Sequence, residues 1–153
     1  MALTAHVFPQ FAIGLGAGNI AMTGGTYKVA LSNAASPVTL ATSGVSTAKL
    51  WTDWKSNVAA EITGTGYSAG GLAVSAPTFA AGGTNNAVAT WTSASNPQWT
   101  TATFTATQAI FYESSASSYQ LICFWEFGTS ISVTAGTFTL TINANGLLAG
   151  TAT

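Results

Sequence analysis

A chain of 153 residues suits one domain with a real core, and its hydrophobic content of 48% is ordinary for such a domain. Its ionic content of 5%, in three lysines, no arginine and four carboxylates, falls far below the roughly one quarter usual for globular proteins. With a net charge of −1 the chain lacks the basic face that nucleic acid or an anionic membrane surface requires, and its single cysteine, Cys123, excludes a disulfide framework.

A net charge near zero favours association. The composition therefore predicts permanent assembly, through a surface of Thr, Ser, Asn and Ala that meets neighbours without stripping water from charges. A monomer with a Thr- and Ser-rich surface is the alternative. Cys123, inside a strand-like run, reads as a small buried hydrophobe.

The segment 1–25 has no basic leader, and Pro9, Gln10 and Asn19 interrupt it, so neither a signal peptide nor a membrane span is expected. Its apolar residues Val7, Phe8, Phe11, Ile13, Leu15 and Ile20 follow no clean period, and Gly14, Gly16 and Gly18 weaken a helix. Residues 1–25 are read as an extended or partly helical N-terminal arm lying against the domain or a neighbour. Residues 26–153 are read as one β-sandwich domain.

Gly24-Gly25 turns into a strand from Thr26 to Ser32, with Tyr27, Val29 and Leu31 on one face. A short strand from Val38 to Thr42 follows. Between Thr47 and Ala60, Leu50, Trp51, Trp54 and Val58 recur at helical spacing, with Ser46 or Thr47 as cap. Lys49, Asp53 and Lys55 give this helix a solvated outer face.

The run from Glu61 to Gly71 contains Gly64, Gly66, Gly70 and Gly71, four glycines within eight residues, around the single aromatic Tyr67. Such density marks backbone angles that a Cβ forbids, so the segment is expected to form a tight corner anchored by Tyr67. Beyond it, strands are expected at Leu72 to Ser75, Thr78 to Ala80, Ala87 to Thr92, Phe104 to Glu113, Tyr119 to Phe127 and Thr137 to Ile142. Turns are expected at 82–86, Asn96-Pro97, 114–118 and Asn145-Gly146. The segment from Tyr119 to Phe127 is apolar on both faces, which suits a central strand. About eight short strands with such turns predict a mainly β protein, a β-sandwich or jelly-roll-like domain with one short helix.

Several patterns resemble catalytic motifs. Gly66-Tyr67-Ser68-Ala69-Gly70 matches G-x-S-x-G, but that elbow needs a strand before it, a helix after it, and a later acid and histidine; the one histidine, His6, lies far upstream. Gly64 to Ala69 fits a relaxed dinucleotide fingerprint without the βαβ setting. The carboxylates available for glycoside hydrolysis are Asp53, Glu61, Glu113 and Glu126, the last among aromatics, a setting in which a carboxyl can serve as a general acid. The tryptophans Trp51, Trp54, Trp91, Trp99 and Trp125 could line a sugar-stacking face. Core or interface packing, shared with Phe8 and Phe11, is the commoner use. No catalytic residue, cofactor or metal ligand is assigned.

Trp51-x-x-Trp54 followed by the Glu61 to Gly71 block resembles small virion structural proteins of tailed bacteriophages and prophages. The opening Met1 to His6, the strand Tyr27 to Leu31, Ala109 to Tyr112 with Leu121 to Cys123, and the closing Gly136 to Asn143 resemble that family in order. Thr107 stands near where relatives often carry a basic residue. The resemblance implies a non-enzymatic capsid decoration or cement protein on the outside of the phage head, made in the host bacterial cytoplasm. It would bind the major capsid protein and copies of itself as a homotrimer, without nucleic acid or membrane. A tail- or fibre-associated adaptor or receptor-binding protein is the alternative, and a carbohydrate-binding module a third.

Overall fold

The structure is a computed structural model that describes residues 4–22, 24–35, 38–82, 88–114, 119–142 and 148–151. Its elements in chain order are β1 (Thr4–Val7), α1 (Pro9–Gly16), β2 (Tyr27–Ser32), α2 (Trp51–Asn57), β3 (Leu72–Ala73), β4 (Thr78–Gly82), β5 (Val88–Thr92), β6 (Gln98–Glu113), β7 (Leu121–Thr139) and β8 (Leu148–Thr151). The protein is mainly β, as the strand-like runs imply. Five strands form an antiparallel sheet in the order β1-β7-β6-β2-β3, and three form a smaller sheet in the order β4-β5-β8.

The long β6–β7 hairpin is the spine. Ile110 pairs with Phe124 and Phe111 with Cys123, so successive residues send apolar side chains to opposite faces of the sheet. On one face Phe124 meets Phe8, the residue before α1, and Trp54 of α2, at ring distances of 5.2 and 5.1 Å. On the other face Phe111 meets Trp125 at 4.9 Å and Trp91 of β5 at 6.4 Å, while Trp91 also sits 5.0 Å from Tyr27. The large sheet is thus covered by the helices on one side and by the smaller sheet on the other. Residues 121–127 are buried throughout, which agrees with the central strand expected there.

The structure departs from the sequence reading in several places. There are two helices rather than one, because Pro9 at the first turn starts α1 inside the segment read as an arm. Ahead of it, β1 pairs with β7 from Thr4↔Glu126 to Val7↔Cys123 and closes one edge of the sheet. Residues 38–42 form turns rather than a strand, held by Thr42 N–H donating to the Thr39 carbonyl at 2.9 Å. Helix α2 begins at Trp51, and its cap is neither Ser46 nor Thr47. Asp53 Oδ2 reaches back to accept the N–H groups of Lys49 and Leu50 at 3.0 and 2.9 Å, satisfying donors that have no partner within the helix. The alternating run from Thr137 is the end of β7, not a separate strand. The turn residues 83–86, 115–118 and 145–146 lie outside the described residues.

Register shifts between Trp99 and Ala102, Ala102 and Phe104, and Ala106 and Gln108 punctuate the hairpin. Such shifts bend and twist a ladder. Beyond them a second aromatic cluster forms, with Phe138 packed 5.7 Å from Trp99 and 5.5 Å from Phe104.

Phe124 is fully buried between Phe8, Trp54 and His6. Phe124→Ala is expected to cost about 3–5 kcal/mol of unfolding free energy, read as a lower midpoint in a urea titration with little change in slope. A cost under about 1 kcal/mol would mean that the helices do not depend on this contact.

Candidate functional site

The corner expected at 61–71 is built around the Tyr67 side chain. Its hydroxyl donates to Glu61 Oε1 at 2.8 Å and accepts the Leu31 N–H of β2 at 3.0 Å. Glu61 Oε1 also accepts the Gly70 N–H, and the Tyr112 hydroxyl donates to the Gly70 carbonyl at 2.7 Å. The Tyr67 ring stacks 6.2 Å from Trp99 and meets Phe104 edge-on at 5.9 Å. One residue thereby ties the loop to β2 and to the distal end of the hairpin.

Two glycines are required by space as well as by angle. Gly66 has φ +75°, and a Cβ there would lie 2.7 Å from the Thr100 carbonyl oxygen and 3.0 Å from that of Thr101. Gly71 has φ +68°, and a Cβ there would overlap the Val29 carbonyl oxygen. Gly64 and Gly70 complete the turn with positive φ.

Burial pushes the Tyr67 hydroxyl well above the ordinary phenol range, the Leu31 N–H opposes that rise, and the Glu61 carboxylate adds to it. Tyr112 is raised by burial first and by Glu61 second. Tyr27, buried and close to Glu113, is pushed up to about 12. These phenols stay neutral at neutral pH, and the Tyr67 proton is held where the Glu61 carboxylate needs a donor.

The catalytic-looking patterns are not assembled. Ser68 is exposed in the loop leading to β3, at one edge of the large sheet. His6 is on β1 at the opposite edge, stacked on Phe124 at 4.7 Å. Residues 64–69 precede a strand rather than a helix, so a dinucleotide phosphate has no helix end to meet. Glu113 pairs with Tyr27 and Glu126 with Gln108, on opposite faces of the sheet, so the two cannot flank one glycosidic bond. Glu126 accepts from Gln108 Nε2 at 2.9 Å, within a buried polar network. There Gln108 Oε1 accepts the Ser32 hydroxyl, the Ala34 N–H and the Thr107 hydroxyl at 3.0, 2.9 and 2.7 Å. Thr107 is therefore inside the protein. Among the described residues no three His, Cys, Asp or Glu side chains gather as metal ligands, and no helix is long and apolar enough to cross a membrane.

The seven aromatics read as packing or interface residues, Phe8, Phe11, Trp51, Trp54, Trp91, Trp99 and Trp125, are all buried. They are core, and none offers a ring face for sugar stacking on the surface of the single chain. Cys123 is buried and free, with burial raising its thiol.

Comparison of the chain with protein-family models, with curated proteins and with solved structures found no match.

Two surface features remain. The first is a set of exposed apolar side chains at the start of the chain. Ile13 of α1 is 62% exposed, with Leu15 and Val7 at 39% each, and residues 1–27 contain no lysine, arginine, aspartate or glutamate. The sequence reading, an extended or partly helical arm, set no helix bounds and so did not say which of these side chains would be exposed. The second is a cleft of about 330 Å³ lined by residues that include Lys28, Trp51, Lys55, Glu61, Tyr112 and Tyr119. Glu61 also lines a hollow of about 420 Å³, with Asn33, Thr63 and Thr105.

Gly66→Val and Gly71→Ala are each expected to block accumulation of folded protein, since the new side chain meets backbone and resists positive φ. Soluble yield and near-UV circular dichroism check this, and wild-type values for both variants would refute the geometry. Tyr67→Phe removes one donor and one acceptor and should lower stability by about 1–3 kcal/mol, measured by denaturant titration.

For the buried tyrosines the folded-state pKa is raised above the ordinary value of 10.0. Their contribution is therefore complete below pH 10 and is lost as pH rises through the folded-state values, because the unfolded chain releases those protons first. The melting temperature should hold through neutral pH and fall above about pH 10. In a Tyr119→Phe background, phenolate absorbance at 295 nm from these three tyrosines should appear together with unfolding rather than ahead of it.

Proposed function

We propose that the chain is a non-enzymatic structural component of a tailed-phage particle, a decoration protein that binds the outside of the head and clamps neighbouring capsid subunits. The observation that carries this reading is the exposure of the apolar side chains Val7, Ile13 and Leu15 in a segment without ionic residues, on a chain almost free of ionic side chains. The resemblance of the glycine–tyrosine block to small phage virion proteins supplies the particle.

The physics of such a role is contact rather than chemistry. Apolar area removed from water contributes roughly 25 cal/mol per Å², and Val7, Ile13 and Leu15 offer that area without a charge to desolvate. A protein that binds only the assembled head stabilises it by mass action. Many copies on one lattice add their modest interfaces together. A homotrimer seated at local three-fold positions fits closed cyclic symmetry and would cover exposed strand edges such as β4, where Phe79 is exposed.

Purified protein should cosediment with expanded heads from its phage. Binding should change little between about 0.05 and about 0.5 M salt, because the start of the chain has no ionic side chains to screen. The double variant Ile13→Asp, Leu15→Asp should reduce binding by at least about tenfold, the effect of desolvating a carboxylate in an apolar contact. Its melting temperature should stay near that of the wild type, since both residues are exposed. Binding to purified tails instead of heads would move the reading to a tail adaptor. Binding to neither would end it.

A further inference from the structure

The cleft beside the corner gathers charge in a protein that has almost none. Two of the three lysines in the chain, Lys28 and Lys55, line it together with Glu61. Lys55 Nζ lies 3.9 Å from Glu61 Oε2 and 5.5 Å from the centre of the Trp51 ring, so its charge is already balanced. Lys28 has no such partner: among the described residues the Lys55–Glu61 contact is the ion pair. Lys28 stands on β2 opposite Tyr112, half-buried, with its ammonium directed toward Gly70. It is the uncompensated charge of the cleft.

The rest of the lining supplies aromatic and polar surface. Trp51 and Tyr112, buried and stacked on each other at 5.6 Å, close the inner end without presenting a ring face, and Tyr119 stands at the mouth, 43% exposed, with its ring 6.0 Å from that of Tyr112. Tyr119 holds φ +46°, a conformation that a bulky side chain adopts only when its surroundings impose it. Its carbonyl accepts the Trp51 N–H at 2.9 Å, which fixes the ring's base at the start of α2. The space of about 330 Å³ sits at the small end of ligand pockets, which run from roughly 300 to 1,000 Å³. It has room for one sugar ring.

We infer that this cleft is a binding site for a single acidic sugar residue, a uronic acid type, whose carboxylate meets Lys28 while its ring lies against Tyr119 and its hydroxyls reach Glu61 and Thr52. A charge-assisted hydrogen bond to a half-buried ammonium supplies the anchor, and the aromatic wall supplies the shape preference for a ring. The inference stands apart from the capsid-binding face on α1 and does not require it.

The test is an amide-resolved NMR titration of the full chain at neutral pH with glucuronic acid, glucose, acetate and inorganic phosphate. Glucuronate should give saturable shifts at Lys28, Gly70 and Tyr119, with glucose and acetate each binding at least about tenfold more weakly, the fold-change expected from losing one charge-assisted contact or the ring. Lys28→Gln should weaken glucuronate to the level of glucose. Tyr119→Ala, at an exposed position, should weaken glucuronate and leave acetate unchanged, which keeps the idea testable if Lys28→Gln lowers the yield of folded protein. Absence of saturable shifts in the cleft, phosphate binding as tightly as glucuronate, or glucuronate affinity untouched by Tyr119→Ala would overturn the assignment.

Discussion

Everything in this structure leans on the β6–β7 hairpin being apolar on both faces. A ladder that sends Phe111, Cys123 and Trp125 one way and Ile110 and Phe124 the other cannot remain half-solvated. It must be covered twice. The helices cover one face and the small sheet covers the other, so the three-layer arrangement follows from the pattern of one hairpin. The Glu61 to Gly71 corner is the fastening, because Tyr67 joins β2, the loop and the far end of the hairpin through one hydroxyl and one ring.

The scarcity of charge is resolved by placement. Two of the four carboxylates, Glu113 and Glu126, are buried in the large sheet, and Asp53 caps α2. Glu61 anchors the corner while contacting Lys55. Little ionic character is left for solvent, and the start of the chain has none at all. A surface of that kind is suited to lie against another protein. The buried set Ser32, Thr107, Gln108 and Glu126, with the Trp54 indole donating to Ser32 at 3.2 Å, fixes how α2 sits on the sheet. Polar groups inside a core are satisfied in few arrangements, and this narrows the ways in which the layers can dock.

Several strands were legible from the residues alone: β2 lies where period-two patterning put it, β5 follows the turn signal before it, and the first half of β7 is the central strand that its two apolar faces implied. The long strands were only partly legible. Bulges near Trp99, Ala102 and Ala106 break the alternation of β6, so its early half reads as turn and loop although it is laddered to β7. The first residues, read as an extended or partly helical arm, gave no element bounds for a different reason. A four-residue strand and an eight-residue helix in succession leave no window long enough for either period to appear. The tryptophans were legible as packing residues, yet nothing in their spacing distinguishes a core position from an exposed platform.

By itself the sequence determined the local matters: a mainly β chain, a corner that only glycine can turn, Tyr67 as its anchor, and a surface poor in charge. Backbone angle, side-chain alternation and composition are set by the residues and their immediate neighbours. Only the tertiary structure decided that all five tryptophans turn inward, that α1 shows Ile13 to solvent, and that Lys28 and Lys55 converge on one cleft beside Tyr119. These depend on contacts between segments far apart in the chain, such as Phe8 against Phe124, and a linear pattern contains no record of which distant segment will supply the other wall.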